Sequence, residues 1–297
     1  MPSTLSIILP AYHSAATLGR CLETLNQQIY TDFEIIVVDS SPDDATARVA
    51  ANFPNVRLER SATRLFPHAA RNRGAELATG ALLVFIDPDV YARPDWLETL
   101  VTAHQTTGHP IVGSIACHGE IWLDQGIHLC KFSKWLPGGA PRSLDMSPTA
   151  NMLISREAFD AVGGFRGDLF LGDALLSWQL QQRGATLWFE PRAVVEHHHL
   201  DTMGSFLKER YRRGIQFGEL RATWQAHGRK GNLLYLVVSI LPLRLSRIAF
   251  LMARHAHGAR QSLRFLMTLP ISLAGHIASL AGEAVAYAGL LVQGSKG

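Results

Sequence analysis

Cysteine is scarce: the 297 residues include only Cys21, Cys117 and Cys130. Three scattered thiols cannot build a disulfide framework, so a reducing compartment is expected. His118 and His128 lie near Cys117 and Cys130 in the sequence, but their spacing fits no closed zinc pattern. The first turn contains no G-x-G-x-x-G, and no G-x-x-x-x-G-K-[ST] occurs anywhere, which argues against hydride transfer on a dinucleotide and against P-loop chemistry. Residues 1–4 offer neither a basic segment nor an apolar run, so no signal peptide is expected. Acid is scarce in one region only. Residues 208–297 hold 13 Lys+Arg against 3 Asp+Glu, whereas residues 1–207 hold 15 against 22. The formal net charge of +3 therefore averages an acidic body and a basic tail, and the tail points to a polyanionic partner.

Apolar residues make up 47% of the chain, enough for a packed core. In the first half, short apolar runs alternate with helical patterns. Strands are expected at 5–9, 35–38, 56–59 and 82–86, with helices at 15–28, 43–52 and 68–78 between them. Strands that are apolar throughout and separated by helices indicate a parallel, doubly wound α/β sheet covered on both faces. In such sheets ligands bind beyond the carboxyl ends of the strands. Tyr12, Asp39, Asp87 and Asp89 follow or end those strands and are expected to line one crevice.

Six segments in order resemble the family 2 glycosyltransferases of the GT-A fold. They are LSIILPAYHSAATLGRCLETLNQQ (5–28), FEIIVVDSS (33–41), ARNRGAELATG (70–80), LLVFIDPDV (82–90), TANMLISREAFDAVGGF (149–165) and GDALLSWQLQQRGATLWFEPRAVVEHHH (172–199). The resemblance covers about the first two-thirds of the chain. It implies a GT-A domain over residues 1–202, an inverting transfer from a nucleotide-diphosphate sugar to a hydroxyl acceptor, and a divalent cation, Mg²⁺ or Mn²⁺.

Asp87-Pro88-Asp89 fits the family's D-x-D element. A departing nucleoside diphosphate gathers negative charge, which a hard cation held by carboxylate oxygen offsets as a Lewis acid. Alternate residues at a strand end can point the same way, so Asp89 is expected to meet the metal and Asp87 the ribose or an amide. Read alone, the same three residues would make an ordinary turn. The resemblance further implies that Asp39 contacts the nucleobase or ribose, that Tyr12 packs near the base, and that Pro10 and Ala11 supply backbone contacts. It also places Arg71 near the nucleotide and His197 near the metal or diphosphate. Ser40 stands where the family often has a second acid, so the base is not fixed.

Asp173 is the candidate general base, because an inverting transfer needs one carboxylate to take the acceptor proton. The family usually opens this helix with an acidic pair, and here the first member is Gly172. Asp168 is a nearby substitute, and a helix-capping role for Asp173 is the plainer alternative. Residues 149–152 are expected to floor the acceptor side. Two rival readings are a nucleotidyltransferase and a non-catalytic sugar-nucleotide-binding scaffold.

Residues 203–297 read as a helical, membrane-docking tail, which places the protein at the cytoplasmic face of a membrane with a glycan or lipid-linked acceptor. Residues 233–243 are apolar but too short to span a bilayer. Arg244, Arg247, Arg254 and His255 fall on one helical arc, a basic stripe suited to an anionic membrane surface. No nucleic-acid-binding module accompanies the charge, so nucleic acid is not expected as a partner. In residues 265–292 the small residues Thr268, Ser272, Gly275, Ser279, Gly282, Ala286 and Gly289 form a seam that permits close helix approach. His276 and Glu283 adjoin it and are expected to pair. A spanning helix, an in-plane hairpin and a homo-oligomer contact through this C-terminal helix all fit the pattern, and the hairpin is favoured.

Overall fold

A computed structural model describes residues 5–226 and 228–293. They form two compact units, residues 5–118 with 137–198 and residues 119–136 with those described from 199 onward. The chain therefore does not divide at a single point near residue 202. Residues 119–136 leave the first unit and belong to the second, because their apolar side chains pack on the C-terminal helices.

In the first unit β1 (Leu5–Ala11), α1 (Ala15–Asn26), β2 (Phe33–Asp39), α2 (Ala45–Ala50), β3 (Val56–Arg60), α3 (Pro67–Leu77) and β4 (Leu82–Ile86) alternate as expected. Every residue of β1 is buried, which is why its sequence shows no polar alternation. On α1 the buried set is Thr17, Leu18, Cys21, Leu22 and Leu25, at helical spacing on one face. The helix α3 approaches β1 closely: a side chain at Gly74 would meet Ile8 Cγ2 at 2.4 Å. That contact fixes how far Arg71, three residues earlier, stands from the sheet.

The remaining elements are β5 (Val90–Ala92), α4 (Trp96–Thr107), β6 (Ile111–Cys117), β7 (Arg142–Leu144), β8 (Asn151–Ser155), α6 (Arg156–Ala161), α7 (Gly172–Gln182) and β9 (Leu187–His197), with α5 (Trp122–Phe132) in the second unit. The sheet order is β3-β2-β1-β4-β8-β6-β9-β5, with β7 on β9. The first four strands are parallel, but β8 runs antiparallel to both β4 and β6, and β5 and β7 run antiparallel to β9. The sheet is mixed, with antiparallel pairings beside the parallel ones. A strand buried on both faces has the same apolar signature in either direction, so its sequence does not reveal its sense. Residues 149–152 lead into and begin β8. Asn151 is fully buried, takes Trp96 Nε1–H at 2.8 Å and donates to the carbonyls of Ser114 and Ala193. It is a polar cross-link of the core.

The second unit contains α5, α8 (Met203–Trp224), α9 (Gly228–Ile240), α10 (Pro242–Gly258) and α11 (Ser262–Gln293). Thr202 and Ser205 form a reciprocal capping box that starts α8. Ile127 and Cys130 of α5 cluster with Phe206 and Ile271, and Leu129 with Met252, Ala256 and Phe265. The small-residue seam of α11 faces α8 of the same chain. A side chain at Gly282 would meet Tyr211 O at 2.1 Å, and one at Gly214 would meet Ser279 O at 2.0 Å. The seam read as a homo-oligomer contact is thus occupied from within. Glu283 does not pair with His276. Its carboxylate takes Arg221 Nη2 at 2.7 Å and Arg244 Nη1 at 2.8 Å. Separating one partner of such a buried pair costs about 3–5 kcal/mol, so Arg244 is held inward and leaves the basic stripe.

Candidate active site

The carboxyl ends of the parallel strands are in register: Ala11 lies opposite Asp39, and Asp39 opposite Arg60. Beside them a cavity of roughly 120 Å³ is lined by Pro10, Ala11, Tyr12, Ser40, Arg64, Phe66, Ala70 and Phe170, among others. The Arg64 guanidinium lies 4.2 Å from the Tyr12 ring centroid, and Phe66 meets Phe170 edge-on at 5.0 Å. Apolar walls with few polar groups suit a flat heterocycle.

Asp39 is not exposed in that cavity. It is fully buried, and its Oδ1 accepts from Ser41 N at 2.9 Å and Ser41 Oγ at 2.6 Å. Its Oδ2 is buried with no hydrogen-bond partner among the described residues, the nearest cation being Arg60 Nε at 3.8 Å. Ser40, expected only as a departure from the acidic pattern, is the residue that lines the cleft.

Asp87, Asp89 and His197 converge. One ligand atom from each lies within 4.8 Å of the others, and His197 Nε2 is 3.8 Å from Asp89 Oδ2. The sheet brings His197 there, because Val90 lies opposite His197 in the β5–β9 pairing and His198 N donates to Asp89 O at 2.8 Å. Two carboxylates and an imidazole are a donor set that fits a hard or borderline divalent cation. Beneath them burial pushes the Cys21 thiol far above its usual range, and the negative Asp89 and Asp87 add to the push. Cys21 is therefore a packing residue, not a nucleophile.

The guanidinium of Arg71, almost completely buried, forms a short ion pair with Asp87 through Nη2. Its Nη1 lies 3.3 Å from His68 Nδ1, and its Nε is buried with no hydrogen-bond partner among the described residues. A buried donor with no acceptor is costly unless a ligand supplies one.

Asp173 lies in the first turn of α7, beyond the N-cap position Leu171, where its carboxylate satisfies a free helix N–H. Its Oδ1 accepts from Ala174 N at 2.9 Å, which orients the side chain. Helix α7 is tied to the rest of the site: Phe170 borders the cavity, and a side chain at Gly172 would meet the His68 ring at 2.7 Å. A larger residue at position 172 would therefore displace the His68 ring. Asp168 is exposed and bound to Arg166 at 2.8 Å, a hydrogen bond that holds its carboxyl below the usual range and makes it a poor proton acceptor. His68, Arg64, Phe66 and Phe170 escaped the sequence reading. Only Pro67, at the first position of α3, marks their neighbourhood, as a helix start.

The Glycosyl transferase family 2 model matches residues 6–166, over half of the chain. Glycosyltransferase AglE of Haloferax volcanii is 27% identical over 230 residues, covering 72% of this chain and 74% of that protein. Among solved structures, mannosyltransferase PcManGT from Pyrobaculum calidifontis, in complex with GDP-Man and Mn²⁺, superposes with a TM-score of 0.57 at 21% identity, covering all of this chain and 80% of that one. GalNAc-T7 with UDP, GalNAc and Mn²⁺ gives a TM-score of 0.54 at 18% identity over 67% of this chain, which spans 44% of that longer one. A GT-A sheet, a match over the N-terminal half and converging acids at its strand ends lead to one assignment: the chain belongs to glycosyl transferase family 2 and is a glycosyltransferase.

Proposed function

We propose that the protein transfers a sugar, with inversion, from a nucleotide-diphosphate sugar to a hydroxyl acceptor that is lipid-linked or part of an envelope glycan. The observation that carries this reading is the convergence of Asp87, Asp89 and His197 beside a small, mostly apolar cavity. The nucleobase lies in the cavity against Tyr12, with Pro10 and Ala11 offering backbone groups. Asp39, whose buried Oδ2 has no hydrogen-bond partner among the described residues, would accept from a base or ribose donor once the covering Ser40 and Ser41 shift aside. Asp89 and His197 would hold a divalent cation, Mg²⁺ or Mn²⁺, and Asp87 the ribose. When bound, the cation supplies Lewis-acid stabilisation of the departing diphosphate. Arg71 orients Asp87 and presents positive charge to the nucleotide. Asp173 accepts the proton of the acceptor hydroxyl. The test is the identity of the products. Incubation with a panel of nucleotide sugars and Mn²⁺ is expected to yield a nucleoside diphosphate and a glycosylated acceptor; release of inorganic diphosphate would indicate nucleotidyl transfer instead.

The second unit docks on an anionic membrane face, cytoplasmic in this reading. α11 is long and apolar enough to cross a bilayer, and α9 with α10 form a pair bent by 66°. On α9 the exposed residues Leu233, Leu234, Val237 and Ile240 recur at helical spacing. The exposed stripe of α10 reads Leu243, Arg247, Phe250, Arg254, alternating apolar and cationic side chains. This alternation fits a helix lying in the headgroup region. Each cation near an anionic surface contributes about 1 kcal/mol, so reversing two charges shifts binding by about 4 kcal/mol at most and by about 2 kcal/mol if only the attraction is lost. Flotation with phosphatidylglycerol vesicles is expected to fall at least about tenfold in the Arg247→Glu/Arg254→Glu variant. Unchanged flotation would contradict an electrostatic role for this stripe.

A further inference from the structure

We propose that His68 is a positioning residue that couples the Arg71–Asp87 pair of the donor site to the start of the helix carrying Asp173. The inference rests on the reading of the donor site given above. His68 occupies the first turn of α3, one turn before Arg71, and is 3% exposed. Its Nε2 lies 3.3 Å from the carbonyl oxygen of Phe170, and its Nδ1 lies 3.3 Å from Arg71 Nη1. A carbonyl only accepts, so Nε2 must carry the hydrogen. A guanidinium only donates, so Nδ1 must present its lone pair. One species, the neutral Nε2–H tautomer, satisfies both contacts, and the two partners select it.

The ring is fixed from its other sides. It stacks on Phe165 with centroids 4.8 Å apart and planes 30° apart. Phe165 is pinned in turn by Asn72, which accepts from its N–H at 2.9 Å and donates to its carbonyl at 2.8 Å. Gly172 leaves room for the ring, since a Cβ there would lie 2.7 Å from Cδ2 and 2.9 Å from Cγ. His68 therefore bridges two pieces of the site that are about a hundred residues apart in sequence. On one side it fixes the buried guanidinium whose other end holds Asp87. On the other it holds the Phe170 carbonyl, two residues before α7 begins and three before Asp173.

Without the Nδ1 acceptor, Arg71 Nη1 would be a second buried donor lacking a partner beside Nε, and the guanidinium would lose one of the two contacts that orient it against Asp87. His68 thus acts through Arg71 on nucleotide binding. The test is the dissociation constant for GDP and UDP with Mn²⁺, measured on full-length protein, together with the thermal midpoint. His68→Phe keeps the ring and its stacking but loses both hydrogen bonds; it is expected to weaken binding of the nucleotide that wild type prefers by about tenfold. His68→Asn places an amide oxygen near the Nδ1 position and is expected to recover most of that loss. His68→Gln reaches toward Phe170 without supplying Arg71 an acceptor, and is expected to resemble His68→Phe. In an Arg71→Ala background, His68→Phe is expected to add less than a twofold loss, because the residue through which it acts is gone. Wild-type affinity in His68→Phe, or losses that multiply in the double variant, would overturn the proposal. Should His68→Phe fail to fold, the Asn-against-Gln comparison makes the same distinction, and equal affinities for those two would overturn it. Absence of Mn²⁺-dependent nucleotide binding by wild type would instead remove the donor-site reading itself.

Discussion

Asp173→Asn is expected to lower the transfer rate by about 10²–10⁴-fold, the usual contribution of a positioned general base. Asparagine has nearly the same shape as aspartate, and its side-chain oxygen can still accept from Ala174 N, the contact that orients Asp173. The contact of Ser177 Oγ with the Asp173 main-chain carbonyl is also untouched. The fold, the thermal midpoint and nucleotide binding should therefore remain close to those of wild type. What is lost is the capacity to take a proton. Turnover within twofold of wild type would exclude Asp173 as the base. Asp168 would then be a weak substitute, because Arg166 already occupies its carboxylate and depresses its basicity.

The second large effect is expected at Asp89. Asp89→Ala removes one carboxylate from the convergent set and should reduce transfer by about 10³-fold or more, since metal polarisation contributes several kcal/mol and each 1.36 kcal/mol is a factor of ten. The backbone carbonyl of Asp89 still accepts from His198 N, and the β5–β9 pairing does not involve its side chain, so folding should persist. Chelation of divalent ions should reproduce the loss in wild type. A variant that keeps full turnover in Mn²⁺ would show that Asp89 holds no essential ion.

Much of this site is legible in the sequence because its acids follow buried strands. An apolar run such as Leu82–Ile86 announces a strand, and Asp87 and Asp89 then fall where a parallel sheet presents its ligand edge. Asp39 shows where that reasoning stops. Its position at the end of β2 is readable, but its burial depends on Ser41 folding back over the carboxylate. His68 was invisible for a related reason. A histidine in the first turn of a helix has many ordinary uses, and only the tertiary approach of Phe170 and Gly172 gives this one its partners. The sense of β8 was likewise unreadable, since a fully buried strand carries no directional signal. In the tail, the spacing of small residues indicated a close helix contact but not the partner, which is α8. Glu283 chose Arg221 and Arg244 over His276 because three other helices bring those cations and their neighbours to it, a fact of packing rather than of spacing.

The central claim is that Asp89 and its neighbours join a divalent cation to the nucleotide. Calorimetric titration of a nucleoside diphosphate into wild type and Asp89→Ala, each with and without Mn²⁺, tests it most directly. Adding Mn²⁺ is expected to raise wild-type affinity at least tenfold and to give little or no gain in the variant. Equal affinity of wild type with and without the metal, or the same gain in Asp89→Ala, would contradict it.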